Sequence, residues 1–109
     1  MKKLLFAVFE NEDETVEIIT RLAQNGINGN ALESASLKKI YDSSLDDASF
    51  ISLRHISHSI FEDNATFFSV LDDDKLKIAE DIIREMTDSF KKIRGGMFVI
   101  PIEHIEGSF

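Results

Sequence analysis

The chain has 109 residues, one domain's worth, and 43% of them are apolar, enough for a core. A net charge of −8 repels phosphate backbones and argues against nucleic acid as a partner. The absence of cysteine excludes disulfides, thiolate zinc sites and thiol nucleophiles.

The opening "MKKLLFAVFE" carries a short apolar run, Leu4 to Phe9, followed at once by acids and no small-residue cleavage site. It reads as a strand, not a leader. No run approaches the ~20 apolar residues a membrane span needs, so a cytoplasmic, not membrane-embedded protein is expected. The stretch "NEDETVEIITRLAQNG" predicts a helix. Asn11 is a good N-cap and Glu14 completes a capping-box-like pair. Val16, Ile19, Leu22 and Ala23 are expected on its buried face, and Asn25-Gly26 is its stop. "GNALESASL" reads as a weaker strand.

The second half repeats the plan. "ATFFSVL" is a strand by its phenylalanines and valine. "DDDKLKIAEDIIREMTDSFKKI" is the clearest helix, with Leu76, Ala79, Ile83, Met86 and Phe90 stepping by three and four. Asp72, Asp73 and Asp74 open it and Lys91, Lys92 and Arg94 close it, as the helix dipole prefers. These three acids read as cap and dipole partners in preference to a magnesium site. "MFVIPI" is a last strand. Pro101 lacks an N–H, so it belongs near a strand end or edge.

The order β-α-β, a long middle, then β-α-β predicts an α+β ferredoxin-like plait. Four antiparallel strands carry two helices on one face, in a single domain spanning 1–109 with a long loop at 38–64. This fold hosts many functions.

Three stretches resemble the PII signalling proteins and their PII-like relatives. "MKKLLFAVFENEDETVEIITRLAQNGINGNALES" is similar to the family's first strand and helix, closed by a Gly-Ile-x-Gly turn at Gly26 to Gly29. "FFSVLDDDKLKIAEDIIREM" resembles its third strand and second helix. "IRGGMFVIPIEHI" resembles the glycine-rich loop and fourth strand. The resemblance implies a homotrimer, not an enzyme, with clefts between subunits that take a small-molecule ligand. It also implies a long loop that contacts a target protein such as a transporter or enzyme. The candidate ligand-binding residues are Gly29, Gly95, Gly96 and Met97 by their place in the resembled pattern, with Lys38, Lys39 and Arg94 as sources of positive charge.

The chain also departs from that pattern. The family's lysine in the glycine-rich loop is replaced by Gly96 or Met97, and its arginines after the fourth strand have no counterpart. Leu37, Lys38 and Lys39 stand where the family has Gly-x-Gly. A classical ATP site is therefore not expected, and the cofactor stays unknown: a different ligand, or none.

Gly95 and Gly96 admit two readings. One makes Gly95 the helix stop and Gly96 a tight start to the strand. The other makes them a cradle of backbone N–H groups for an anion.

The middle, 38–64, is longer than a hairpin needs. Phe50, Leu53, Ile56 and Ile60 suit a short helix; Ile56, His58 and Ile60 equally suit a strand. His55 and His58 form His-x-x-His, a weak metal candidate that no further ligand at fixed spacing completes. On it rests the alternative of a CutA-like metal-binding or sensing trimer. A plait that only oligomerises is the third reading. No Ser/His/Asp arrangement assembles by role, so no catalytic residue is assigned.

Overall fold

The computed structural model describes residues 1–10, 13–34 and 64–109. Six elements follow in chain order: β1 (Lys3–Glu10), α1 (Asp13–Gln24), β2 (Asn30–Ser34), β3 (Asn64–Leu71), α2 (Asp73–Thr87) and β4 (Gly95–Pro101). The strands form one sheet in the order β2-β3-β1-β4, every neighbouring pair antiparallel. This is the α+β ferredoxin-like plait that the pattern predicts. Asn64 already belongs to β3, so the expected loop ends one residue earlier than 38–64 implied.

Alternation along β1 sorts the two faces of the sheet. Leu5, Ala7 and Phe9 are fully buried and meet Phe67, Leu71, Met97 and Val99 beneath the helices. From α1 come Ile18 and Leu22, and from α2 come Leu76, Ala79, Ile82 and Ile83. The buried stripe of α1 is thus Thr15, Ile18 and Leu22, whereas Val16 is 64% exposed and Ala23 is exposed. The expected stripe is rotated by about one residue. "TVEIITRLA" has apolar groups on more than one side, and packing on the sheet chose Ile18. The α1 capping pair at Asn11 lies outside the described residues.

At the end of α1, Gly26 takes φ +76 and the Ile27 N–H bonds the Leu22 carbonyl at 3.0 Å. Ile27 then buries beside Leu22, the apolar contact that goes with this type of helix stop.

The end of α2 overturns the expected boundary. The helix stops at Thr87, well before the glycines. Asp88, Ser89 and Phe90 then take φ of 50, 53 and 62, three consecutive left-handed residues with side chains. Such residues normally occur singly and cost ~1–2 kcal/mol each. Several contacts hold them. The buried Thr87 hydroxyl donates to the Ile83 carbonyl at 2.7 Å and accepts the Phe90 N–H at 3.0 Å. The Ser89 N–H bonds the Arg84 carbonyl at 2.8 Å. The Phe90 ring stacks on Phe9, centroids 6.2 Å apart, and Ile93 is fully buried.

Gly95 and Gly96 are strand residues, paired with Phe9 and Val8. The helix-stop reading of Gly95 is therefore corrected. Gly95 has φ +147, and a Cβ there would overlap the Val8 carbonyl oxygen and lie 3.2 Å from the Phe9 Cα. It lets backbone meet backbone within one sheet.

Pro101 ends β4, which is an edge strand. The Glu10 N–H bonds the Arg94 carbonyl and the Ile102 N–H bonds the Lys2 carbonyl. Antiparallel alternation between these two makes Lys3 and Pro101 a pair without mutual hydrogen bonds, so the missing N–H faces outward.

Candidate functional site

The face of the sheet away from the helices is apolar. Phe68, Phe6 and Phe98 lie opposite one another in a row across β3, β1 and β4. Phe6 and Phe98 stack with centroids 5.0 Å apart and planes inclined by 25°. Leu4, Val8, Val70, Ile100 and Leu32 share this face by register. Phe98 is 52% exposed, Leu32 53% and Ile100 45%. Alternation puts apolar side chains on both faces of β1, β3 and β4, which a sheet with one solvated face does not require. The sequence reading did not single out the Phe6–Phe98 pair. The signal was there: even-numbered residues of β1 are as apolar as odd-numbered ones.

The resemblance-derived site residues separate into three groups. Arg94, Gly95, Gly96 and Met97 lie at the start of β4. Gly96 pairs with Val8, and the same alternation that places Pro101 commits its N–H to the ladder. Met97 packs partly buried against the core. A cradle of free N–H groups at both glycines is therefore not what β4 offers. Lys91, Lys92 and Arg94 are exposed and form no ion pair among the described residues.

Gly29 lies elsewhere. It precedes β2 at the far edge of the sheet and near the other end of the strands. Following the register, it stands about 13 Å along the strands and about 14 Å across them from Gly95. One chain does not bring Gly29 together with Arg94. Lys38, Lys39, His55 and His58 lie outside the described residues.

A cavity of about 410 Å³ opens beside Gly29, lined by Asn28, Asn30, Phe68, Ser69, Val70 and the C-terminal Ser108 and Phe109. Gly29 is needed there because a Cβ would meet the Phe68 carbonyl oxygen at 2.6 Å and the Phe67 ring at 2.8 Å. The buried Ser69 hydroxyl donates to the Asn28 carbonyl and fixes the turn before β2. Sequence reasoning missed Ser108 and Phe109, since a short tail carries no periodic signal.

The acids that open α2 are ion-pair partners of the first lysines. Asp72 meets Lys2 at 2.9 Å and Asp73 meets Lys3 at 3.0 Å. Asp72 occupies the N-cap position without a side-chain capping bond, because its carboxylate is turned to Lys2. The hydrogen bond from Lys3, and then its charge, hold the Asp73 carboxyl below the usual carboxylate range. Among the described residues no cluster of three or more His, Asp or Glu is placed to hold a metal. Among the same residues no helix is long and apolar enough to cross a membrane.

No family model matches the chain, and neither does any curated protein. Among solved structures it is similar to a functionally unknown protein from Pediococcus pentosaceus ATCC 25745. The TM-score is 0.62 at 12% identity, over 98% of this chain and 97% of that one. At that identity the likeness concerns the fold, along nearly the whole length of both proteins.

Proposed function

We propose that the chain is a PII-like regulatory protein: a cytoplasmic homotrimer, not an enzyme, that takes a small ligand at its subunit clefts. Its long loop, 38–63, then contacts a target protein such as a transporter or enzyme. The observation that carries this reading is the apolar open face centred on Phe6 and Phe98. A small domain buries a limited share of its surface, and this face gains most from a second layer. Packing three sheets face to face supplies one. The separation of Gly29 from Arg94 fits ligand clefts built from two chains, since one chain does not close them.

The missing lysine in the glycine-rich loop weakens the hold on a triphosphate, and the ligand is expected to be something other than ATP. A thermal-shift screen with adenine nucleotides, cyclic dinucleotides and bicarbonate tests the ligand part. A stabilising member supports it; no shift with any of them leaves a plait that only oligomerises. Deleting 42–49 tests the loop. The trimer and its melting temperature are expected to survive while binding to the physiological target is lost; unfolding would make the segment core instead.

A further inference from the structure

We propose that the connection from α2 to β4, residues Asp88 to Gly96, is a two-state element whose minor state continues α2 by one more turn through Lys91. The inference does not depend on the trimer or on a ligand.

Two independent observations meet at this place. The first is the sequence period. The apolar stripe Leu76, Ala79, Ile83, Met86 continues to Phe90 at the next helical step, and Ile93 follows three residues later. Ser89, Phe90 and the two lysines are ordinary helix residues, and cations favour a helix C-terminus. The second is the backbone. It leaves the helix at Thr87 and turns left-handed at Asp88, Ser89 and Phe90, where a bulky aromatic is a genuine outlier. Local preference and tertiary structure thus ask for opposite conformations of the same residues, a conflict that packed proteins otherwise avoid.

The Phe90–Phe9 stack, the Phe90 N–H bond to the Thr87 hydroxyl and the burial of Ile93 favour the turn. So do the backbone bonds from the Ser89 N–H to the Arg84 carbonyl, the Lys91 N–H to the Asp88 carbonyl and the Lys92 N–H to the Thr87 carbonyl. A helix extended through Lys91 relieves all three left-handed residues. It keeps Phe90 on the core-facing stripe below Met86, and it forfeits the Ile93 site and the first pairs of β4. The two glycines suit that exchange. Gly95 holds the strand against Val8 in the major state, and Gly96, whose absent Cβ would meet nothing within 4 Å, lets the chain swing once that contact opens. In the minor state the loosened segment is Lys92 to Gly96. Opening frees Val8, Phe9 and Glu10 at the end of β1, beside Asn64, the first residue of β3.

The test uses the full chain. In the wild type, relaxation dispersion is expected at the amides of Ser89 to Lys92 and of Gly96, on the microsecond-to-millisecond scale of such shifts. Asp88→Gly with Ser89→Gly favours the left-handed turn and is expected to quench it. Asp88→Ala with Ser89→Ala favours the helix; helical Cα shifts at 88–91 and about tenfold faster exchange of the Gly96 amide are expected. A wild type without dispersion, or dispersion unchanged in the glycine variant, overturns the proposal even if the alanine variant fails to fold. An alanine variant with left-handed shifts and an unchanged Gly96 amide overturns it as well, leaving a strained but single-state turn.

Discussion

Gly95 sits so close to Val8 that any side chain on it would overlap the Val8 carbonyl oxygen, while its neighbour Gly96 faces open space. The obstacle is backbone of the central strand, which has no rotamer to yield. Gly95→Ala is therefore expected to destabilise by more than ~3 kcal/mol, combining a clash with a φ that side chains avoid. Gly96→Ala has room and an unremarkable φ, and its expected effect is within ~1 kcal/mol, with a gain if the unfolded chain loses freedom. Urea unfolding of the two variants checks the contrast, and equal losses would refute it.

Thr87 has both halves of its hydroxyl engaged while fully buried. Thr87→Val keeps the shape and strands the Phe90 N–H, at an expected cost of ~1–3 kcal/mol. Thr87→Ser keeps the hydroxyl and is expected to lose less. Chemical denaturation of the pair distinguishes a hydrogen-bonding role from packing, because packing alone would rank the two the other way.

Most of the plait is legible in the sequence because its elements announce themselves by period. β1, β3 and α2 each carry a long regular apolar pattern, and Asn25-Gly26 is a local stop with its own mechanism. The end of α2 was not legible. Phe90 continues the helical period, and what overrides it is the Phe9 ring, distant in sequence. The stripe of α1 was ambiguous for a related reason: Val16, Ile18 and Ile19 are all apolar, and only the sheet decides between them. Of the candidate site, the glycines were visible and their purpose was not, since the requirement for Gly95 comes from Val8. Phe109 beside Gly29 had no signal at all.

Phe98 is half exposed on the open face and contributes little to the helix-side core. Phe98→Glu is expected to leave far-UV circular dichroism unchanged and to turn the proposed trimer into a monomer, since burying the new carboxylate against two further sheets is costly. Light scattering at micromolar concentration reads the outcome. A wild-type monomer there would remove the trimer, and a trimeric variant would remove this face as its interface.

The Asp73 carboxyl is held below its usual range by Lys3. A lowered folded value means stability that is fully present above the ordinary carboxylate range and is lost as pH falls through the lowered value. Asp73→Asn is expected to flatten this part of the acid limb of a stability–pH curve, and Lys3→Met to do the same. The effect is small because the pair is solvated. An Asp73→Asn curve parallel to the wild type would show that the pair is not coupled to folding.

An ATP dissociation constant weaker than about 100 μM is expected by calorimetry, and one tighter than about 10 μM would refute the expectation. A lost charge-assisted contact to phosphate removes ~1.5–3 kcal/mol, which weakens binding by roughly ten- to hundredfold.

The strand at the centre of the sheet is also its earliest in the chain, and it is flanked by β3 and β4. Lys3 faces Leu71 on one side and Pro101 on the other. During synthesis one edge of β1 therefore waits for β3 and the other until β4, the last strand of the sheet, has left the ribosome. Sequence separations of this size raise the contact order, and folding is slower than for a helical bundle with local contacts. The even apolar distribution on β1 makes the wait hazardous, because an uncovered strand of this kind is a template for other chains.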